Sequence, residues 1–220
     1  MRDCMGVVSL DGYVLIVRGE DAIEFVNGLS TNLIEGTCTT VFTNSIAKVI
    51  DMVDVIDMDS FLALVGYGPN KNVLLSHLVP RILGQDVQIA DATESNSVLL
   101  STEDLDVQEG VTKVETFRGW LIISPNGKEP NVTMSESEFT DWRVENMIPH
   151  PGHEITNANH PYACGLSHLV HENKGCYIGQ EILARMKSRG RQGKELIREV
   201  NPVSDATSIG STHSLAIRKC

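Results

Sequence analysis

The sequence predicts an α+β protein. Strand-like alternation and helical spacing occur in mixed order along the chain, without the strict strand–helix alternation of a βαβ fold. Hydrophobic residues make up 41% and charged residues 21%, the balance of a chain that buries a core. A length of 220 residues suits one large domain or two small ones.

Taken in order, residues 13–17 read as a strand. Gly19-Glu20-Asp21 then opens a helix whose Ala22, Ile23, Phe25, Val26, Leu29 and Leu33 follow helical spacing. Strands are predicted over 41–43, 48–56 and 61–67, the last closed by a Gly66-Tyr67-Gly68-Pro69 turn. A helix from about residue 70 buries Val73, Leu74, Leu78, Ile82 and Leu83, and Pro80 shortens or kinks it. Three or four strands follow, at 87–90, 98–101 and 120–124, with 112–116 as the fourth; Pro125-Asn126-Gly127 supplies turn chemistry after them. Ser135 and Glu138 form a capping box for a helix that carries Phe139, Trp142 and Met147. Residues 149–174 are loop-like, and 179–187 read as a short helix. The tail from Asn201 is rich in Ser and Thr and too short to build a core of its own.

The net charge is −11 and unevenly placed. Residues 1–173 hold nine Lys/Arg and 25 Asp/Glu, whereas 174–198 hold seven Lys/Arg and two acids. The acidic body argues against general binding to nucleic acid or anionic membrane. The basic segment suits an anionic small ligand, a local acidic partner surface, or simply a solvated helix face paired with the body. No apolar run reaches the ~18 residues of a membrane span, and the first residues show no signal-peptide core, so a cytoplasmic protein is expected. Five widely spaced cysteines (Cys4, Cys38, Cys164, Cys176 and Cys220) read as reduced thiols.

Three constellations bear on chemistry. In Lys174-Gly175-Cys176-Tyr177-Ile178-Gly179-Gln180-Glu181, two glycines bracket a cysteine ahead of a helix. A helix N-terminus and the Lys174 cation both favour thiolate at Cys176, although a free cysteine is as often a small buried hydrophobe. His150, His153, His160, His168 and His171 cluster in the loop region, but their spacing matches no structural zinc or iron–sulfur pattern, and no resident metal is expected. Arg143, in Trp142-Arg143-Val144-Glu145, is a guanidinium able to hold a carboxylate at two points, or a structurally paired surface residue.

The motif from Lys174 to Glu181 resembles the signature of YgfZ-type folate-binding proteins, relatives of the glycine cleavage T-protein, an aminomethyltransferase. Arg18-Gly19-Glu20-Asp21-Ala22 with Phe25, Leu29, Thr31 and Asn32 is similar to that family's opening segment, and Arg143-Val144-Glu145 with Pro149, Gly152 and Glu154 to its R-x-E segment. The resemblance spans roughly residues 13–198. It implies a T-protein-like folate-binding core over 1–200 with mixed or antiparallel sheets and flanking helices. Residues 201–220 would then be a remnant of a C-terminal barrel that is largely missing. It implies tetrahydrofolate as the ligand, with Arg143 on a folate carboxylate, Tyr67 near the pterin, and Lys174, Tyr177, Gln180 and Glu181 as further binding residues. Cys176 would be the functional thiol in support of iron–sulfur enzyme assembly or repair, with client or assembly proteins as partners and a homodimer compatible with the shortened tail. The alternative is aminomethyl transfer to tetrahydrofolate, with Asp51 as the retained acid of a T-protein Asp-Asp pair and Asp54 in reserve. A third reading, a binding module docking an acidic protein or RNA through 174–198, has only Tyr177 for base stacking.

Overall fold

The structure is a computed structural model that describes residues 5–190 and 192–220; Cys4 and Arg191 lie outside them. The chain runs β1 (Val7–Leu10), β2 (Gly12–Arg18), α1 (Ala22–Leu29), β3 (Cys38–Thr43), β4 (Val49–Asp57), β5 (Leu62–Tyr67) and α2 (Lys71–Leu78). It continues through β6 (Gln88–Asp91), β7 (Asn96–Ser101), β8 (Thr112–Thr116), β9 (Gly119–Pro125) and α3 (Glu136–Glu145). It ends in α4 (Gln180–Ser188), β10 (Glu195–Val200), β11 (Ser208–Ile209) and β12 (His213–Arg218). All strand pairings in the three sheets are antiparallel.

The central sheet has the order β3-β4-β5-β2-β6. Its strands are apolar on both sides because both sides are covered. On one side, Phe25, Val26 and Leu29 of α1 and Leu74 and Leu78 of α2 pack on Leu15, Phe42, Val53, Val55 and Leu64. On the other, Val14, Ile56, Val65 and Tyr67 meet Val98, Leu121 and Ile123 of the second sheet, ordered β1-β7-β9-β8. Ala22, Phe25, Val26 and Leu29 of α1 match the helical spacing read from the sequence, but Ile23 stays exposed and the helix ends at Leu29, short of Leu33. Pro80 acts as anticipated: α2 stops at Leu78 and a 3-10 turn follows over Val79–Arg81.

The capping box of α3 is formed in both directions, with Ser135 Oγ accepting from the Glu138 amide and the Glu138 carboxylate accepting from the Ser135 amide. Phe139 then packs on Val8, Leu100 and Met134. The long 149–174 connection carries two 3-10 turns, Pro161–Cys164 and Ser167–Leu169. Ile155, Cys164, Leu166 and Leu169 from it close over Val41, Val49 and Met52 at the end of the central sheet. The third sheet, ordered β10-β12-β11, packs Leu196 and Leu215 on Val144 of α3. The division expected at residue 200 falls inside this sheet, since β10 pairs with β12 along its whole length. The tail thus shares the core of α3 and builds none of its own.

Candidate functional site

Along β4 of the central sheet, the chain buries charge. Asp51 is fully buried and Asp54 is 1% exposed. Both lie on β4, but an odd spacing of three residues on a strand points them to opposite faces. β4 also carries an extra residue at Ile50: Phe42 pairs with Asp51, whereas the next residue, Thr43, pairs with Val49. A bulge of this kind re-aims the neighbouring side chain.

On the helix-covered face, Asp51 Oδ2 accepts a hydrogen bond from the Tyr13 hydroxyl of β2. Its Oδ1 accepts from the Met52 amide at 2.9 Å and from Asn70 Nδ2 at 3.0 Å. Burial pushes the Asp51 carboxyl up to about 6, and the three donors and the more distant Arg118 charge only partly offset it. On the opposite face, Asp54 Oδ1 accepts from Thr39 Oγ1 at 2.6 Å, and Oδ2 accepts from Tyr67 Oη at 3.0 Å and from Arg118 Nη2. Arg118 comes from the β8–β9 turn and lies 3% exposed with its guanidinium 4.2 Å from the Tyr67 ring centre. Among the described residues, its Nε has no hydrogen-bond partner.

Aromatic groups continue this cluster in both directions. Phe117, 39% exposed, stands beside Arg118 and meets His168 edge-on at 4.8 Å. Behind Tyr67, His150 lies at 6.4 Å and in turn meets Phe139 at 5.9 Å, on which Trp142 stacks at 6.1 Å. Burial first, then the charges of Arg143 and Arg118, hold the His150 imidazole down at about 3, so it is neutral at physiological pH. Among the described residues, no group of three or more His, Cys, Asp or Glu side chains is placed to hold a metal ion.

The residues anticipated from sequence do not converge on one point. Asp51 and Tyr67 belong to the central cluster. Arg143 is 2% exposed, but it is committed to the protein. Its Nη1 donates to the Ile148 carbonyl at 3.2 Å and pairs with Glu154 at 3.5 Å, and its Nη2 donates to Ser208 Oγ at 3.1 Å. The carboxylate it meets in this structure is internal, Glu154, because R-x-E and Glu154 fold back on each other across the Ile148 turn; among the described residues its buried Nε has no hydrogen-bond partner.

Lys174 also lies inside the fold. Its ammonium is buried against the Ser30 carbonyl at 2.8 Å, the Asn32 carbonyl at 2.5 Å and Asn27 Oδ1 at 3.3 Å. Burial lowers it to about 8. It anchors the motif to the α1–β3 connection, and its charge is spent inside the fold instead of beside the exposed Cys176. Cys176 sits three residues ahead of Gly179, the N-cap of α4. Gly179 has φ +87, and a Cβ there would press on Thr43 Oγ1 and the Asn44 carbonyl at 2.7 and 2.8 Å, so glycine is required. Tyr177 packs on Tyr162, Ala47 and Leu183, and with Gln180 it lines a cleft of about 290 Å³ bounded by Val170, His171 and Lys187. Glu181 is exposed and paired with Arg185 at 2.8 Å.

The site members not singled out from sequence are Tyr13, Asn70, Thr39 and Arg118. Each looked like an ordinary strand or turn residue. The signals available were Arg118 between Phe117 and Gly119 at a hairpin turn, and Gly66 within an otherwise apolar strand.

With this geometry described, comparison with known proteins places the architecture. The chain overlays on aminomethyltransferase T of the glycine cleavage system from Bartonella henselae with a TM-score of 0.79, covering 97% of this chain and 78% of that one at 14% identity. The fold is that of the T-protein. No family model matches the sequence. A curated relative from Arabidopsis thaliana, named "Putative transferase At1g60990, chloroplastic", is 24% identical over 226 aligned positions. The alignment takes in 82% of this chain and 52% of the relative, so the chain spans about half the length of the curated protein it matches. Within the T-protein-like fold, no helix of the described residues is long and apolar enough to cross a membrane.

The raised Asp51 carboxyl carries a prediction with a definite sign. Below about pH 4 the group is protonated whether the chain is folded or not, and it costs nothing. Between pH 4 and 6 the unfolded chain loses its proton first, so stability falls as pH rises, and the full penalty stands above pH 6. Asp51→Asn is therefore expected to be more stable than wild type at pH 8, by an order of 2–3 kcal/mol, with the difference closing near pH 4. Urea unfolding at both pH values measures it.

Proposed function

We propose that the chain binds tetrahydrofolate, or a related reduced pterin, at the buried polar cluster on β4. We further propose that it acts in the YgfZ manner, with Cys176 as an accessible thiol in support of iron–sulfur enzymes. The observation that carries the ligand assignment is the central cluster within a T-protein-like fold: buried carboxylates on the two faces of β4, Asn70, and a buried guanidinium whose Nε has no partner among the described residues. A pteridine edge alternates N–H donors with oxygen and nitrogen acceptors, and this set supplies the complement of both. The residues fit that end of the molecule. Arg143, expected to grip its carboxylate tail, pairs with Glu154 as Arg118 pairs with Asp54, and its buried Nε is likewise without a partner among the described residues. Bound there, tetrahydrofolate would supply a nitrogen that accepts one-carbon groups. The protein's own share is to bind and orient the ring through Asp51 and Asn70 on one face of β4, while Asp54 and Arg118 hold the opposite face.

A second reading, aminomethyl transfer, is favoured by one feature. A carboxyl brought up to about 6 can hold or release a proton at neutral pH, as acid–base work on an amine requires. Anaerobic titration with tetrahydrofolate, followed by tryptophan fluorescence, tests the shared premise, since Trp142 ends the aromatic series behind Tyr67. Saturable quenching is expected in wild type and in Cys176→Ser, weakened at least tenfold in Asp51→Asn. Absence of saturation in wild type overturns the ligand assignment. Formation of methylene-tetrahydrofolate from an aminomethyl donor by wild type, and not by Asp51→Asn, would move the second reading ahead of the first.

A further inference from the structure

We propose that Tyr13 is a positioning residue for Asp51, reaching across strand β5 above Gly66 to fix which oxygen of the carboxylate stays open to a ligand or a proton. The inference rests on the reading above, in which Asp51 belongs to the ligand site.

In the central sheet β5 lies between β4, which carries Asp51, and β2, which carries Tyr13. Tyr13 pairs with Gly66 of β5. The ring must therefore pass over β5 to meet Asp51, and it has room because position 66 has no side chain. A Cβ at Gly66 would stand 2.2 Å from both Cζ and Oη of Tyr13. Any other residue at that position expels the ring. The bulge at Ile50 turns Asp51 toward the approaching hydroxyl.

The donors are unequally shared. Oδ1 receives two hydrogen bonds, from Met52 and Asn70, which fill its lone-pair directions. Among the described residues, Oδ2 receives only the Tyr13 hydroxyl, which leaves one of its lone-pair directions without a donor. Tyr13 is 2% exposed, and burial together with the Asp51 charge holds its phenol well above the usual tyrosine range, so it remains a donor at any working pH. The other ionisable groups that act on the pair are Arg118, which favours the Asp51 carboxylate, and Tyr67, which acts on Tyr13. Without Tyr13, Oδ2 loses that donor, and the charged form of Asp51 is less favoured.

The test is a carboxyl-carbon NMR titration of the full chain labelled at aspartate, with the Asp51 resonance assigned by its loss in Asp51→Asn. Tyr13→Phe is expected to raise the Asp51 midpoint by about one pH unit, a tenfold change in proton affinity. Biosynthetic replacement of tyrosine by 3-fluorotyrosine keeps the ring in place and strengthens the donor, so it is expected to lower the midpoint; it also serves if Tyr13→Phe does not fold. The pH profile of tetrahydrofolate binding should move in step. An Asp51 midpoint unmoved by both changes overturns the proposal, as does folate binding with one pH profile in all forms. A midpoint that moves in a protein that takes up no tetrahydrofolate at any pH leaves the positioning role standing and removes the folate reading instead.

Discussion

Arg143→Ala is expected to destabilise the protein by about 3–5 kcal/mol, with a melting temperature lower by on the order of 10 °C. The side chain joins three parts of the chain. It leaves α3, pairs with Glu154 of the long connection, and donates to Ser208 of the third sheet. Glu154 is fully buried. Its Oε2 also accepts from the His150 amide at 3.0 Å and its Oε1 from Thr207 Oγ1 at 2.5 Å, so both oxygens are fixed where water cannot reach them. Alanine at 143 would strand a carboxylate in the interior, and the cost is that of an unpaired buried charge more than of the lost attraction. The double change Arg143→Met with Glu154→Gln removes both charges and is expected to recover most of the loss. Chemical unfolding of the two variants decides the matter. A loss below about 1 kcal/mol for Arg143→Ala would mean that Glu154 does not depend on this guanidinium, and would return Arg143 to the role of ligand anchor.

The contrast between what could and could not be read from the sequence is physical. The helix α1 was legible because its period of apolar residues is local, and α3 was legible because Ser135 and Glu138 announce its start within four positions. Proline chemistry at Pro80 likewise acts on its immediate neighbours. The site depends on pairings far apart in the chain: Tyr13 with Asp51, Asp54 with Arg118, Lys174 with the carbonyls of Ser30 and Asn32. A charged residue shows in a sequence; its counter-charge does not. The R-x-E segment was recognisable in form, but its arginine had two carboxylates to choose from, and only the fold shows Glu154 within reach. The bulge at Ile50, which turns Asp51, leaves no compositional trace.

Arg118→Ala is expected to be as costly, again about 3–5 kcal/mol, and for a reason that also bears on the ligand. Arg118 carries the charge of the second sheet into the central one. Asp54, its partner, would keep the Thr39 and Tyr67 hydroxyls as donors but lose its cation at 1% exposure. Tyr67 would lose both its hydrogen bond to Arg118 Nη2 at 3.0 Å and the guanidinium over its ring, and near-ultraviolet circular dichroism should register the change. Arg118→Met combined with Asp54→Asn is expected to restore the fold without restoring the guanidinium. That pair separates stability from binding. If it folds and no longer takes up tetrahydrofolate, while Arg143→Met with Glu154→Gln folds and still does, then the guanidinium that meets the ligand is on the β8–β9 turn. If the outcomes are reversed, Glu154 must yield Arg143 to the incoming carboxylate, and the buried pair of the free protein is a latch that the ligand opens.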